Sequence, residues 1–283
     1  MTQIKEALRD FNPWWLGKFT VAFKERDVYA HIQKFLPLPH ILAFTGLRRV
    51  GKTTLLLKIV ADSVAKGFDP RNIIYFSFDE FKTIAIRSVI KEYEEMLEKD
   101  FKEGQYILLL DELQKLSGWE EQIKSIYDIF GKKIKIIISG SESLFIKKKA
   151  KETLAGRLFE FKVDLLTFNE FLSFKGISLT PISLHEKEFL RLFHEFTLTL
   201  GFPELTNIKD KEIIKKYIDE GIVKKVIYQD IPKLFDIKDI SVIESLLNIL
   251  MEEPGQLIDL AELAKELKIS RQTLANYLTY LED

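Results

Sequence analysis

The chain has 283 residues, enough for one large or two ordinary domains, and its 46% hydrophobic and 30% charged residues are the balance of a folded globular protein. A net charge of −1 supplies no strong positive field of the kind that marks a dedicated nucleic-acid binder, leaving only local patches for that role. With no cysteine, disulfides, thiolate metal sites and cysteine nucleophiles are all excluded.

The first forty residues read as an N-terminal flap. No apolar run in the chain approaches the ~20 residues of a membrane helix, and MTQIKEALRD is not a secretory signal, so no membrane and a cytoplasmic location are expected. Pro13-Trp14-Trp15 could stack on adenine, dock a partner, or pack as part of the flap on the core. Asp27–Phe35 has a helical pattern that Pro37 and Pro39 end.

Ile41-Leu42-Ala43-Phe44 is a short apolar run of the kind found in a strand covered on both faces. It leads into Gly46, four residues, then Gly51-Lys52-Thr53, the phosphate-loop pattern. Its glycines let backbone N–H groups face phosphate oxygens, Lys52 reaches the β- and γ-phosphates, and Thr53 offers a hydroxyl to Mg²⁺, with Thr54 next at the phosphates. The helix that starts near Lys52 aims its positive end at the same anion and finishes at about Lys66, before Gly67. ATP and Mg²⁺ are therefore the expected ligands. Arg48 and Arg49 either contact phosphate or pair with carboxylates from a neighbouring strand.

Strands at Asn72–Phe78, Tyr106–Leu110 and Lys135–Ser139 alternate with helices at about Ser88–Phe101 and at Trp119–Phe130. This alternation predicts an α/β fold with a parallel sheet and helices on both faces. Two strands end in Asp-Glu, at Asp79-Glu80 and Asp111-Glu112. Asp111 follows an unbroken aliphatic strand, and the next strand ends in Ser139, positioned to sense the γ-phosphate. We therefore assign Asp111 to Mg²⁺ through water and Glu112 to deprotonating the attacking water. Asp79-Glu80 reads either as a strand-end pair capping the next segment or as a pair with a minor part in positioning water. Lys147–Lys149 with Lys151 is either a solvated helix end or a loop that touches nucleic-acid phosphates.

From Phe168 the strands stop. Phe168–Lys175, Glu186–Leu200 and Lys211–Gln229 are amphipathic helical patterns, the last broken near Gly221 and stopped by Pro232, and they predict a helical lid. Val242–Met251, Leu260–Leu267 and Arg271–Leu281 suggest a helix-turn-helix with Ser270 as N-cap, a partial winged helix that lacks the wing hairpin and so looks truncated. From Ser241 onward three basic residues face eight acidic ones, a balance that disfavours DNA. The expected domains are 1–40, 41–165, 166–236 and 237–283.

The set GLRRVGKTTLL at Gly46–Leu56, YFSFDEF at Tyr75–Phe81, ILLLDELQ at Ile107–Gln114, IIISGSES at Ile136–Ser143, LAGR at Leu154–Arg157, LTFNEF at Leu166–Phe171 and GFPEL at Gly201–Leu205 resembles the archaeal and bacterial AAA-type ATPases related to the signalling STAND NTPases. The resemblance implies an additional-strand P-loop sheet, and relatives that continue into a nuclease-like domain. It implies that Arg157 faces the γ-phosphate, with cis action expected, the other reading of this arginine being a salt bridge at a strand start, and that Gly201 and Pro203 belong to a turn beside the nucleotide base. The expected function is a Mg²⁺-dependent ATPase switch that relays nucleotide state to a protein partner or attached domain. The alternative is a DNA-directed loader or motor.

Overall fold

The computed structural model describes residues 2–141, 152–234, 237, 239–252 and 254–282. The chain divides into two compact units, Met1–Ile208 and Lys209–Asp283.

The first unit is an α/β layer structure around five strands: β1 (Ile41–Thr45), β2 (Ile73–Ser77), β3 (Tyr106–Asp111), β4 (Ile134–Ser139) and β5 (Leu158–Lys162). All pair in parallel, in the order β2-β3-β4-β1-β5. The apolar runs follow from this placement: β1 is buried at every residue, and β3 and β4 at all but one. Helices α3 (Lys52–Ala65), α4 (Ile86–Leu97) and α5 (Trp119–Phe130) are the crossovers. The order separates β1 from β3 by β4, so the loop after β1 and the carboxyl ends of β3 and β4 meet along one edge of the sheet.

The N-terminal segment holds more structure than its sequence announces. Helix α1 (Gln3–Phe11), capped by the Thr2 hydroxyl accepting from Lys5 N–H, packs on β2 and α4. Asn12 follows, fully buried, with its side-chain amide bonded to both the N–H and the C=O of Tyr75, at 2.7 and 2.9 Å. The Trp14 and Trp15 indole N–H groups both donate to Ile73 O, at 3.0 and 2.8 Å. Of the readings open for the tryptophan pair, packing on the core is the one observed. Helix α2 (Asp27–Phe35) then leads to β1.

After β5 come α6 (Phe168–Lys175) and α7 (Glu186–Thr199). Thr167 and Glu170 form a reciprocal capping box at the start of α6, which explains why a helix begins there. Phe168, Phe171, Phe189, Phe193 and Phe196 pack ring against ring between the two helices. Gly201 closes the segment, its carbonyl accepting from Leu166 N–H at 2.8 Å. A Cβ there would lie 2.7 Å from Leu166 O, so only glycine permits the approach.

In the second unit α8 (Lys211–Ile218) starts at an Asp210 cap. The helical path does not break at Gly221: it passes through π-helical segments at Asp219–Val223 and Val226–Asp230 and ends in α9 (Ile231–Leu234), which contains Pro232. The wider π turn accommodates a residue that disfavours a regular helix. Helices α10 (Ile240–Glu252), α11 (Leu260–Glu266) and α12 (Arg271–Glu282) follow. Their core joins Ile243, Leu246, Leu263, Leu274 and Tyr277 with Ile231. Ser270 caps α12 by accepting from Thr273 N–H at 3.0 Å. Residues to 208 fall in the unit that holds the sheet and those from 209 in the unit of the C-terminal helices, so the boundary between units lies inside the expected lid of 166–236.

Candidate functional site

The loop after β1 is pressed against the end of β5. Val163 N–H donates to Thr45 O at 2.7 Å, and a Cβ on Gly46 would lie 2.2 Å from Val163 O, which explains the first glycine of the motif. The loop turns through left-handed conformations at Arg49 and Gly51. Lys52, 6% exposed, points its ammonium back into the loop, donating to Gly46 O at 2.9 Å and Leu47 O at 2.7 Å.

Beside it lies a cluster centred on Asp111, 3% exposed at the end of β3. Thr53 donates its hydroxyl to Asp111 Oδ2 at 2.6 Å, Ser139 donates to Oδ1, and Glu112 N–H donates to Oδ1 at 3.1 Å. Strand register causes this meeting: Leu110 lies level with Ile138, so Asp111 and Ser139 are neighbours at the same edge. A further hydroxyl, that of Tyr75, reaches Oδ2 at 2.8 Å from β2. Burial, and then the Asp111 charge, push the Tyr75 phenol far above its ordinary pKa, so it stays a donor.

Glu112 has a left-handed backbone, at φ 55°. Its carboxylate accepts from Gln114 Nε2 at 2.8 Å and lies 3.7 Å from Lys115 Nζ. Lys115 also pairs with Asp79. Asp79 itself follows the edge strand β2, which β3 and β4 separate from the loop strand.

Next to the loop is a cavity of about 410 Å³ whose walls include Phe23, Val50, Gly51, Thr54, Phe174 and Pro203. Gly201 does not line it but fixes the turn that presents Pro203. Arg49 Nη1 pairs with Glu204 at 3.3 Å, so this arginine pairs with a carboxylate, from the turn at Pro203 rather than from a strand; Arg48 is partly buried in the loop.

Arg157 is not part of this gathering. It precedes β5, and its carbonyl accepts from Ile41 N–H at the first residue of β1, the opposite edge of the sheet from the loop. Five residues of parallel strand, about 16 Å, intervene. Its guanidinium lies 3.3 Å from Asp128. In this arrangement Arg157 makes an ion pair at the start of a strand and stands away from the loop of its own chain. Lys147–Lys151 lie outside the described residues.

Sequence reasoning missed Arg26, Glu170 and Tyr75. Arg26, 7% exposed, donates to Glu170 Oε1 at 2.9 Å, to Val50 O in the phosphate loop at 3.0 Å and to Asp164 O at 2.8 Å. Glu170 also accepts from the N–H groups of Asp27 and Thr167, both at 2.9 Å. The Thr167-x-x-Glu170 spacing was readable as a capping box, and Tyr75 as a hydroxyl within an apolar strand; Arg26 carried no local signal.

Chemically, the ammonium of Lys52 inside a loop too tight for side chains at Gly46 suits a polyphosphate. The hard oxygens of Thr53 and Asp111 suit Mg²⁺. The adjoining cavity has room for a base and ribose.

Residues 39–172 match the family model described as "AAA domain", and residues 190–283 one described as a domain of unknown function. An uncharacterized protein of Methanocaldococcus jannaschii is 30% identical over 284 residues, covering 95% of this chain and 60% of that protein. An uncharacterized protein of Haemophilus influenzae is 26% identical over 257 residues, covering 88% and 62%. The chain thus spans about 60% of the length of these relatives. Among solved structures, AMPPCP-bound DnaA from Aquifex aeolicus is 20% identical, covering 93% of this chain and 89% of that one, at a TM-score of 0.40. A likeness of that size does not bear on function. The match over residues 39–172, on a parallel sheet ordered β2-β3-β4-β1-β5 with its glycine-lysine-threonine loop after β1, supports an AAA-type P-loop ATPase domain in this chain.

Proposed function

We propose that residues 1–208 form a Mg²⁺-dependent ATPase module of STAND-like type. The observation that carries this is the 2.6 Å contact between Thr53 and Asp111 beside the enclosed Lys52 ammonium, which brings the two metal-side oxygens and the phosphate-side cation to one edge of the sheet. In this reading Lys52 and the loop N–H groups hold the β- and γ-phosphates, and the base occupies the cavity at Pro203. Thr53 and Asp111 hold Mg²⁺, which when bound offsets the charge that develops on the phosphates. Glu112 takes the proton of the attacking water, after leaving Gln114 and Lys115. Ser139 meets the γ-phosphate from its place beside Asp111. An arginine supplied from outside completes the charge, and Arg157 of a neighbouring copy suits that part.

The helices of 166–208 and the C-terminal unit then relay nucleotide state to an attached domain or protein partner. A DNA-directed role has less support, given the acidic excess from Ser241 onward.

The test is phosphate release from ATP with Mg²⁺ and with the metal chelated, alongside calorimetric ATP binding. Mg²⁺-dependent release with micromolar binding is expected. Absence of ATP binding in both conditions would overturn the proposal.

A further inference from the structure

Asp111 is held by more donors than the proposed chemistry assigns to it, and the additional one enters from β2, which β3 and β4 separate from the strand that carries the phosphate loop. Thr53 and Tyr75 share Oδ2, at 2.6 and 2.8 Å, while Ser139 takes Oδ1. Thr53 and Ser139 each have a second task in the proposed cycle, toward Mg²⁺ and the γ-phosphate. Tyr75 has none. Its hydroxyl is therefore the side-chain donor left to fix the carboxylate plane in every state of the site.

The phenol is itself immobilised. The Tyr75 N–H and C=O are both bonded to the Asn12 side chain, which is fully buried and further anchored by donating to Leu8 O at 2.7 Å. The ring meets Phe11 edge-on with centroids 6.1 Å apart and is 7% exposed. Register places Ser77 level with Asp111, so Tyr75, two residues earlier on β2, faces the same side of the sheet and its length alone carries the hydroxyl to the carboxylate. A phenylalanine would fill the same space and leave Oδ2 without that donor.

We propose that Tyr75 is a positioning residue for the metal-side carboxylate: clamped by Asn12, it orients Asp111 toward Mg²⁺ by holding Oδ2. The inference rests on the ATPase reading above. It is tested by calorimetry of ATP binding to wild type, Tyr75→Phe and Trp14→Phe, each with Mg²⁺ and with chelator. Trp14→Phe is the control because it removes a hydrogen bond of the same N-terminal segment to β2 with no link to Asp111.

Tyr75→Phe should leave metal-free affinity within about twofold and reduce the gain in affinity brought by Mg²⁺ about tenfold, the scale of one hydrogen bond to a charged group. The Mg²⁺ concentration that half-saturates hydrolysis should rise in parallel. Trp14→Phe should lower the melting temperature and leave the Mg²⁺ gain at the wild-type value. An unchanged Mg²⁺ gain in Tyr75→Phe, or an equal loss in Trp14→Phe, overturns the inference while the ATPase reading stands. A wild type that binds no ATP removes the reading itself, and the inference with it.

Discussion

Arg26 and Glu170 form an ion pair 2.9 Å long with both side chains 7% exposed, and the arginine's remaining nitrogens reach Val50 O in the phosphate loop and Asp164 O after β5. One guanidinium thus ties the N-terminal segment, the loop and helix α6 together. Removing either partner leaves a buried charge unpaired, at a cost of about 3–5 kcal/mol. Arg26→Ala and Glu170→Ala should each shift urea unfolding by that amount. Arg26→Lys retains the charge but cannot make the three-way fork, and should weaken ATP binding as well. Wild-type stability in Arg26→Ala would show that the pair does not hold these elements.

The same pair sets an acid limit. Burial pushes the Glu170 carboxyl up, but the N–H groups of Thr167 and Asp27 and the Arg26 guanidinium outweigh it, so its pKa lies below the ordinary value. In the unfolded chain it titrates near ~4.3. Between the folded value and that one the unfolded state binds more protons, so the stability from this group is complete above the unfolded pKa and is lost as pH falls through the folded one. Unfolding midpoints measured from pH 6 down to pH 3 should fall more steeply in wild type than in Glu170→Gln.

Binding and chemistry should separate at two residues. Lys52→Ala removes the cation enclosed by the loop and should abolish ATP binding. Glu112→Gln keeps the shape and loses the base, so it should bind ATP as wild type does and release phosphate ~10²–10⁴-fold more slowly. Normal turnover in Glu112→Gln, with loss instead in Asp79→Asn, would move the base to β2.

Because Arg157 sits at the far edge of the sheet from its own loop, any part it plays in hydrolysis must involve a second copy. Turnover per chain should then rise with protein concentration, and Arg157→Ala should lower turnover with little change in ATP affinity. Mixing Arg157→Ala with Lys52→Ala should recover activity, since an intact loop can meet an intact arginine. Concentration-independent turnover in wild type would remove Arg157 from the chemistry.

Much of the sheet was legible because its signals are local. The apolar runs at β1, β3 and β4, the glycine spacing of the loop, and a strand ending in Asp111 each fit within a few residues. Helix α5 matches its expected bounds for the same reason. What was not legible depends on partners distant in sequence: Asn12 meets Tyr75, and Arg26 meets Glu170, only once the sheet has formed. The helical path through Gly221 and Pro232 was misread because local propensity disfavours it, whereas burial of Ile222, Ile227 and Ile231 favours it. The place of Arg157 at the start of β5 depends on the direction in which that strand runs, which the motif does not give.

The contacts that Asn12, Trp14 and Trp15 make with β2 have one more consequence. β2 ends the sheet, and the outward groups of Ile73 and Tyr75 would otherwise stand as an open template on which any extended chain could zip. Ile73 N–H is already taken by Pro70 O, and the three side chains cap the rest, so a few residues at the start of the chain do the work of a sixth strand without having a free edge of their own. Deleting residues 1–15 should therefore leave the P-loop sequence intact and yet yield a protein that self-associates into β-rich aggregates, visible as thioflavin binding and loss of the monomer-sized peak at equal concentration.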